Sequence, residues 1–306
     1  MKKILISFGL LVATMLPAQE NYLLVGGSGW NKIALIEKES AAVLWSHELG
    51  DGEECNAVAA NSGGNVLYSY KQGAKLINLK HDVLWDYPSP AGTELFTATI
   101  LPNGGFLLGY CGNPARLIEL NAKGVVRHEI AFETGISQVH GQYRQAIKSK
   151  KGTYLVPLMG KAAVIELDKQ GKELNRWSVK GNPFSVLERS NGNLIVGCGD
   201  ARSYVEIDRR SGTMLHEVTN ENIVTSGCEL NFVAQIEALN NGHLLVCNWN
   251  GHLKKNQTIQ PALLEIDTDN RVVWKLKENK EIGRISAVSV YPLSKQLKKQ
   301  IKQSTK

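Results

Sequence analysis

The chain has 306 residues, enough for two average domains or one large all-β domain. Its 35 Lys+Arg against 29 Asp+Glu give a formal charge of +6, but the surplus is terminal: Lys2 and Lys3 at the start, and Lys295, Lys298, Lys299, Lys302 and Lys306 after Ser294. Without those seven the body holds 28 bases against 29 acids, which excludes a basic nucleic-acid face, and 43% apolar with 21% charged residues excludes disorder.

Residues 1–18 read as a secretory signal: Lys2 and Lys3, then an apolar stretch from Ile4 to Leu16, then Leu16-Pro17-Ala18 as the cleavage site. The apolar stretch is too short to span a bilayer and no later run approaches that length. The expectation is an exported protein, periplasmic or extracellular, with no membrane span. Five cysteines follow (Cys55, Cys111, Cys198, Cys228, Cys247), an odd number without metal-ligand spacing, read as small buried residues with room for one disulfide.

From residue 21 onward the chain repeats. Six segments share two apolar residues, often an acid, a polar turn and a short apolar run: 35–45, 76–85, 117–127, 164–177, 205–216 and 264–274. Each reads as a hairpin. A strand precedes each one: YLLVGG (22–27), NVLYSY (65–70), FLLGYC (106–111), TYLVPL (153–158), NLIVGC (193–198) and HLLVCN (243–248). Glycine-rich turns lead into five of these from small-residue strands: NAVAA (56–60), FTATIL (96–101), RQAIKS (144–149), FSVLER (184–189) and FVAQIEA (232–238). The unit is therefore four strands, a to d, over about 40–50 residues, the size of a β-propeller blade. The first unit lacks strand a, and ISAVSVY (285–291) is a spare strand of the same character after the sixth. The predicted fold is an all-β, six-bladed propeller over residues 19–293, closed by strand 285–291 joining the first blade. The basic tail, 294–306, reads as a frayed, solvated end, with a short amphipathic helix over LSKQLKKQIKQ as the alternative.

The pattern NG-x-LLV … LIELD-x-x-G-x-VVW resembles the repeat of quinoprotein-like propellers and of bacterial arylsulfotransferase-like propellers. The quinoprotein group implies eight blades and vicinal cysteines, which this chain lacks; six blades agree better with the arylsulfotransferase-like group. No cofactor is expected.

The recurring acids Glu119, Glu166, Glu206 and Glu265, with Asp168, Asp208 and Asp267 two residues on, read as turn and packing residues, since a catalytic pair does not recur in blade after blade. Trp45, Trp85, Trp177 and Trp274, with His128 and His216 in the blades lacking this Trp, read as wedges between blades. No metal site is expected.

The b–c and d–a loops are long and varied, and alternating strand direction places both sets on one face. That face gathers the candidate ligand-binding residues Trp30, Glu54, Arg116, Arg144, Arg202, Asn231, Trp249 and Arg284, with His140 and His252 as candidate catalytic groups. Arg forks suit planar anions and Trp faces suit sugar or aryl rings. The first reading is a binding protein for a small anionic or sugar-like molecule, a glycan included. Two others stay open: a propeller enzyme (arylsulfotransferase-like, lyase or hydrolase) using the His/Arg cluster, and an envelope scaffold with a protein partner. No GxSxG, HExxH, P-loop or dinucleotide fingerprint decides among them.

Overall fold

The computed structural model describes residues 20–225 and 227–304; the signal reading for residues 1–18 lies outside them. Strands are numbered in chain order. Blade 1 consists, from the axis outward, of β24 (Ala287–Val290), β1 (Tyr22–Gly26), β2 (Lys32–Glu37) and β3 (Val43–Glu48). Blade 2 is β4 (Ala57–Ala60), β5 (Val66–Tyr70), β6 (Gly73–Ile77) and β7 (Val83–Pro88). Blade 3 is β8 (Glu94–Ile100), β9 (Phe106–Cys111), β10 (Ala115–Leu120) and β11 (Val126–Phe132). Blade 4 is β12 (Ile147–Lys148), β13 (Tyr154–Leu158), β14 (Ala163–Leu167) and β15 (Glu173–Ser178). Blade 5 is β16 (Ser185–Glu188), β17 (Leu194–Gly197), β18 (Tyr204–Ile207) and β19 (Met214–Val218). Blade 6 is β20 (Phe232–Ala238), β21 (Leu244–Trp249), β22 (Leu263–Ile266) and β23 (Val272–Leu276). The protein is a six-bladed β-propeller with four antiparallel strands in every blade.

The second and third strands are apolar almost throughout, because each is covered on both faces by neighbouring blades; β1, β5, β9 and β13 are buried end to end. The outermost strands alternate instead, as β23 does. The spare C-terminal strand closes the ring. β24 pairs antiparallel with β1 in the register Leu23↔Val290, Leu24↔Ser289, Val25↔Val288 and Gly26↔Ala287.

One position in the outer strand reaches the next blade at every junction. Trp45 is 2% exposed and its Nε1 donates to the Leu79 carbonyl of blade 2 at 2.9 Å. Trp85 stacks on Phe106 of blade 3 with centroids 5.4 Å apart. His128 donates from Nε2 to the Lys169 carbonyl of blade 4 at 2.8 Å and stacks on Tyr154. Trp177 lies against Gly212 of blade 5. His216 accepts from the Asn270 amide of blade 6 at 3.1 Å. Trp274 receives Lys38 of blade 1 over its ring. The turn after β10 makes room for Trp85: Gly124 has φ +77°, and a Cβ there would stand 1.8 Å from the indole nitrogen.

The repeated acids have the roles read from their recurrence. Asp168, Asp208 and Asp267 each accept two backbone N–H groups within their own turn. Three of the four glutamates tie blades together: Glu119 accepts from Tyr154 Oη of blade 4 at 2.6 Å, Glu166 pairs with Arg209 of blade 5, and Glu265 pairs with Lys38 of blade 1, while Glu206 is held within blade 5 by Arg189 and Asn193. All five cysteines are buried and unpaired.

The tail takes the alternative, an amphipathic helix, and not the solvated end. Residues Lys295–Ser304 form a helix, α1. Its Leu297 and Ile301, 4% and 6% exposed, join the apolar cluster that holds Tyr22 and Tyr291. An i, i+4 apolar pair on a lysine-rich segment is thus enough to dock one turn of helix where blades 1 and 2 meet.

Two outcomes follow from this packing. Truncation after Arg284 removes β24, unpairs β1 and abolishes cooperative thermal unfolding, whereas truncation after Leu293 only lowers the melting temperature by the burial of Leu297 and Ile301; equal melting of both truncated chains and the full chain contradicts the closure. Trp45→Ala costs about 3–5 kcal/mol in denaturant unfolding, as for a fully buried indole, and Gly124→Ala destabilises through collision with Trp85 and its positive φ; unchanged midpoints contradict the wedge role.

Candidate functional site

At the loop face each blade places one residue from the start of its inner strand around the axis: Asn56, Phe96, Arg144, Phe184, Phe232 and Ser286. Together with Ser28, Glu54, His140, Gly141, Met159, Trp249 and His252 from the loops, they line a cavity of about 210 Å³. It is continuous with a groove of about 500 Å³ between the loops of blades 1 and 2, lined by Trp30, Asn31, Glu53 and Lys71 among others. Glu54, Asn56, Phe96 and His140 face both. Farther along the inner strands, Gln145 donates to the Asn56 carbonyl at 3.2 Å and Gln235 accepts from Val288 N–H at 2.9 Å, cross-linking the inner wall.

Arg144 is the unusual group. Its residue is 6% exposed. Nη1 donates to the carbonyls of His140 at 2.7 Å and Tyr143 at 3.0 Å, and the guanidinium lies over the Phe96 ring with its carbon 3.7 Å from the centroid. No carboxylate among the described residues lies within ion-pair distance, and Nε and Nη2 have no protein acceptor there. Burial pushes its pKa down to about 10, so it stays cationic at neutral pH. An unpaired buried charge costs several kcal/mol; two carbonyls and a cation–π contact, worth about 0.5–2 kcal/mol, offset part of it. The fold places a cation where solvation is poor, beside a cavity, and leaves three of its five N–H donors without a protein acceptor among the described residues.

Two histidines stand on the cavity wall, each with Nδ1 held by a carboxylate. His140, carried on a 3₁₀ turn (Val139–Gly141), bonds Glu94 Oε2 at 2.7 Å, and Glu94 also takes Lys71 at 2.9 Å. Burial opposes ionisation of Glu94, but the hydrogen bonds from Lys71 and His140 outweigh it and hold its pKa below the usual value. His252 bonds Asp200 Oδ1 at 2.9 Å, and Asn182 fixes the other oxygen of Asp200 at 2.9 Å. A proton on Nδ1 shared with a carboxylate leaves Nε2 as the working nitrogen. The wall between them is aromatic. Trp249 meets His252 edge to face at 4.8 Å and Phe232 at 5.4 Å, and Phe184 meets Phe232 at 5.6 Å. Trp249 is anchored by donation to the Ser28 carbonyl at 2.8 Å and lies over Gly251, where a Cβ would stand 1.8 Å from the ring.

Of the residues singled out from the sequence, Glu54, Arg144, Trp249, His140 and His252 meet in the cavity, and Trp30 lines the adjoining groove. The other four lie elsewhere. Arg116 sits on the third strand of blade 3, where its side chain pairs with Glu129 across β10 and β11. Arg202 extends to Asn231 Oδ1 at 3.4 Å. Asn231 is 7% exposed and spends its amide on the Trp249 carbonyl at 3.1 Å, which makes it a scaffold for the Trp249 loop. Arg284 is exposed and lies over Gly29. Phe96, Phe184 and Phe232 were not singled out. Their signal was present: three of the small-residue strands, FTATIL, FSVLER and FVAQIEA, begin with phenylalanine. Among the described residues no group of three or more His, Cys, Asp or Glu could hold a metal, and no helix is long and apolar enough to cross a membrane.

Comparison with known proteins agrees with this architecture. A crystal structure of a protein of unknown function from Bacteroides caccae is 44% identical, with a TM-score of 0.84 over 87% of this chain and 97% of that one. More distant propellers share the fold alone. A streptogramin B lyase structure is 14% identical, with TM-score 0.58 over 87% of this chain and 86% of that one. A catalytically inactive histidine-to-alanine variant of virginiamycin B lyase from Staphylococcus aureus with quinupristin is also 14% identical, with TM-score 0.57 over 87% and 88%. No curated protein matches significantly. The family model that matches is not one of the two whose repeat the sequence resembles; it spans residues 29–271, and the chain belongs to the Mal s 1 allergenic protein-like family.

Proposed function

We propose that this propeller is a small-molecule binding protein whose axial cavity takes an anion with an apolar body. The observation that carries the reading is Arg144: a guanidinium 6% exposed, stacked on Phe96, without a carboxylate partner and opening into a cavity. Glu94 acts on Arg144 only from beyond ion-pair distance, and a free anion there supplies a direct counter-charge, through charge-assisted hydrogen bonds to Nε and Nη2. Phe184, Phe232, Trp249 and Met159 supply an apolar wall for the rest of the ligand. The reading includes export, on the strength of the Lys2-Lys3 start and the apolar stretch that follows.

A second reading, catalysis on the bound anion, rests on the pairs His140–Glu94 and His252–Asp200. Each presents an oriented imidazole to the cavity, the arrangement that general acid–base chemistry requires. Binding that survives His252→Ala while turnover of the same ligand stops separates the two readings.

The test of the first uses 3-phenylpropanoate and its neutral amide as calorimetric probes. The carboxylate binds the parent protein and the amide binds at least about tenfold more weakly. Arg144→Met loses the carboxylate selectivity while its stability changes by no more than about 1 kcal/mol, since it removes a buried charge together with its hydrogen bonds. A carboxylate that binds both proteins equally, or neither, overturns the proposal.

A further inference from the structure

The charged groups around the cavity and its groove are mostly paired. Lys71 and His140 share Glu94, Lys75 holds Glu53 at 2.6 Å, and His252 holds Asp200. Arg144 and Glu54 are the exceptions. Glu54 Oε2 accepts from Ser28 Oγ at 2.6 Å, and among the described residues it has no basic partner. Both line the same cavity of about 210 Å³, and they do not pair with each other. Arg144 is buried and Glu54 exposed, so solvent screens their attraction from the Glu54 side, to about 1 kcal/mol at 4 Å. Here each is tied to its own wall: Arg144 by Phe96 and two carbonyls, Glu54 by Ser28. The space between them is therefore electrically polarised, positive on the blade 4 side and negative at the loop between blades 1 and 2.

A simple anion satisfies Arg144 but leaves Glu54 unpaired beside it, and repels it. A ligand carrying one negative and one positive group satisfies both. The remaining walls, Phe96, Phe184, Phe232, Trp249 and Met159, require that the body between or beside those charges be apolar. Resting on the reading of Arg144 as an anion site, we infer that the ligand is a zwitterion of the amino-acid type with an aromatic or bulky apolar side chain: its carboxylate on Arg144, its ammonium on Glu54. A free amino acid and a short peptide share this chemistry. The groove of about 500 Å³ that continues past Glu54, with Trp30, Asn31 and Asn56 on its walls, gives the peptide a place for further atoms at the ammonium end.

Four probes decide this by calorimetry at neutral pH: L-phenylalanine, the dipeptide L-alanyl-L-phenylalanine, 3-phenylpropanoate (anion only) and phenethylamine (cation only). On the parent protein at least one zwitterion binds about tenfold or more above 3-phenylpropanoate, the worth of one charge-assisted contact. The zwitterion that wins identifies the source, free amino acid or peptide. Glu54→Gln removes that advantage while retaining 3-phenylpropanoate, and Arg144→Met loses the zwitterions and 3-phenylpropanoate alike; melting curves of both variants confirm folding. If 3-phenylpropanoate binds in an Arg144-dependent way but as tightly as both zwitterions, or if Glu54→Gln leaves their advantage intact, this inference falls and the anion site stands. If no carboxylate probe depends on Arg144, the anion site falls and the zwitterion with it.

Discussion

The structure depends on closing a ring of six similar four-stranded units without an unpaired inner edge. Each blade is a twisted sheet that cannot bury both faces alone, so its stability comes from the next blade. The chain meets that demand in two ways. A Trp or His of every outer strand reaches into the following blade, from Trp45 against Leu79 to Trp274 against Lys38. The last strand pairs with the first, so that residues from opposite ends of the sequence share one sheet. Helix α1 then covers the seam where blades 1 and 2 meet, through Leu297 and Ile301.

The cavity is a consequence of that closure. Six inner strands converge, and the residue that opens each must face the axis whatever its chemistry. Asn56 and Ser286 are small and polar there; Phe96, Phe184 and Phe232 are apolar; Arg144 alone carries charge. Arg209, by contrast, has Glu166 and Glu188 close by, whereas Glu237 on β20 also lacks an ion-pair partner among the described residues, and burial pushes its carboxyl up to about 7. Of these two unresolved positions Arg144 is the one that lines a cavity, and a local conflict that faces a cavity is where function is sought.

How much of this was legible follows from periodicity. The blades, the closing strand and the wedge residues recur with the repeat, so one sequence carries several readings of each and errors cancel. The loop face follows from alternating strand direction. What does not recur is distance from the axis. Arg116 and Arg144 both flank strands at the loop face, but Arg116 lies on a third strand and pairs with Glu129, while Arg144 opens an inner strand. Arg202 is drawn away by Asn231, a contact between blades 5 and 6 that no local pattern announces. Phe96, Phe184 and Phe232 are poorly legible because small residues dominate the inner strands that these phenylalanines begin. The docking of the tail is not legible locally, because Leu297 and Ile301 pack with Tyr22 and Tyr291, residues at the two ends of the propeller.

The most direct test of the anion site is a crystal structure of the protein with 4-iodobenzoate, located by the anomalous signal of iodine. The account predicts the carboxylate on Arg144 Nη2 and the iodine against Phe184, Phe232 or Trp249, with the Arg144–Phe96 stack unchanged. Iodine found only outside the axial cavity, or an Arg144 side chain turned to a protein carboxylate in the unliganded crystal, contradicts it.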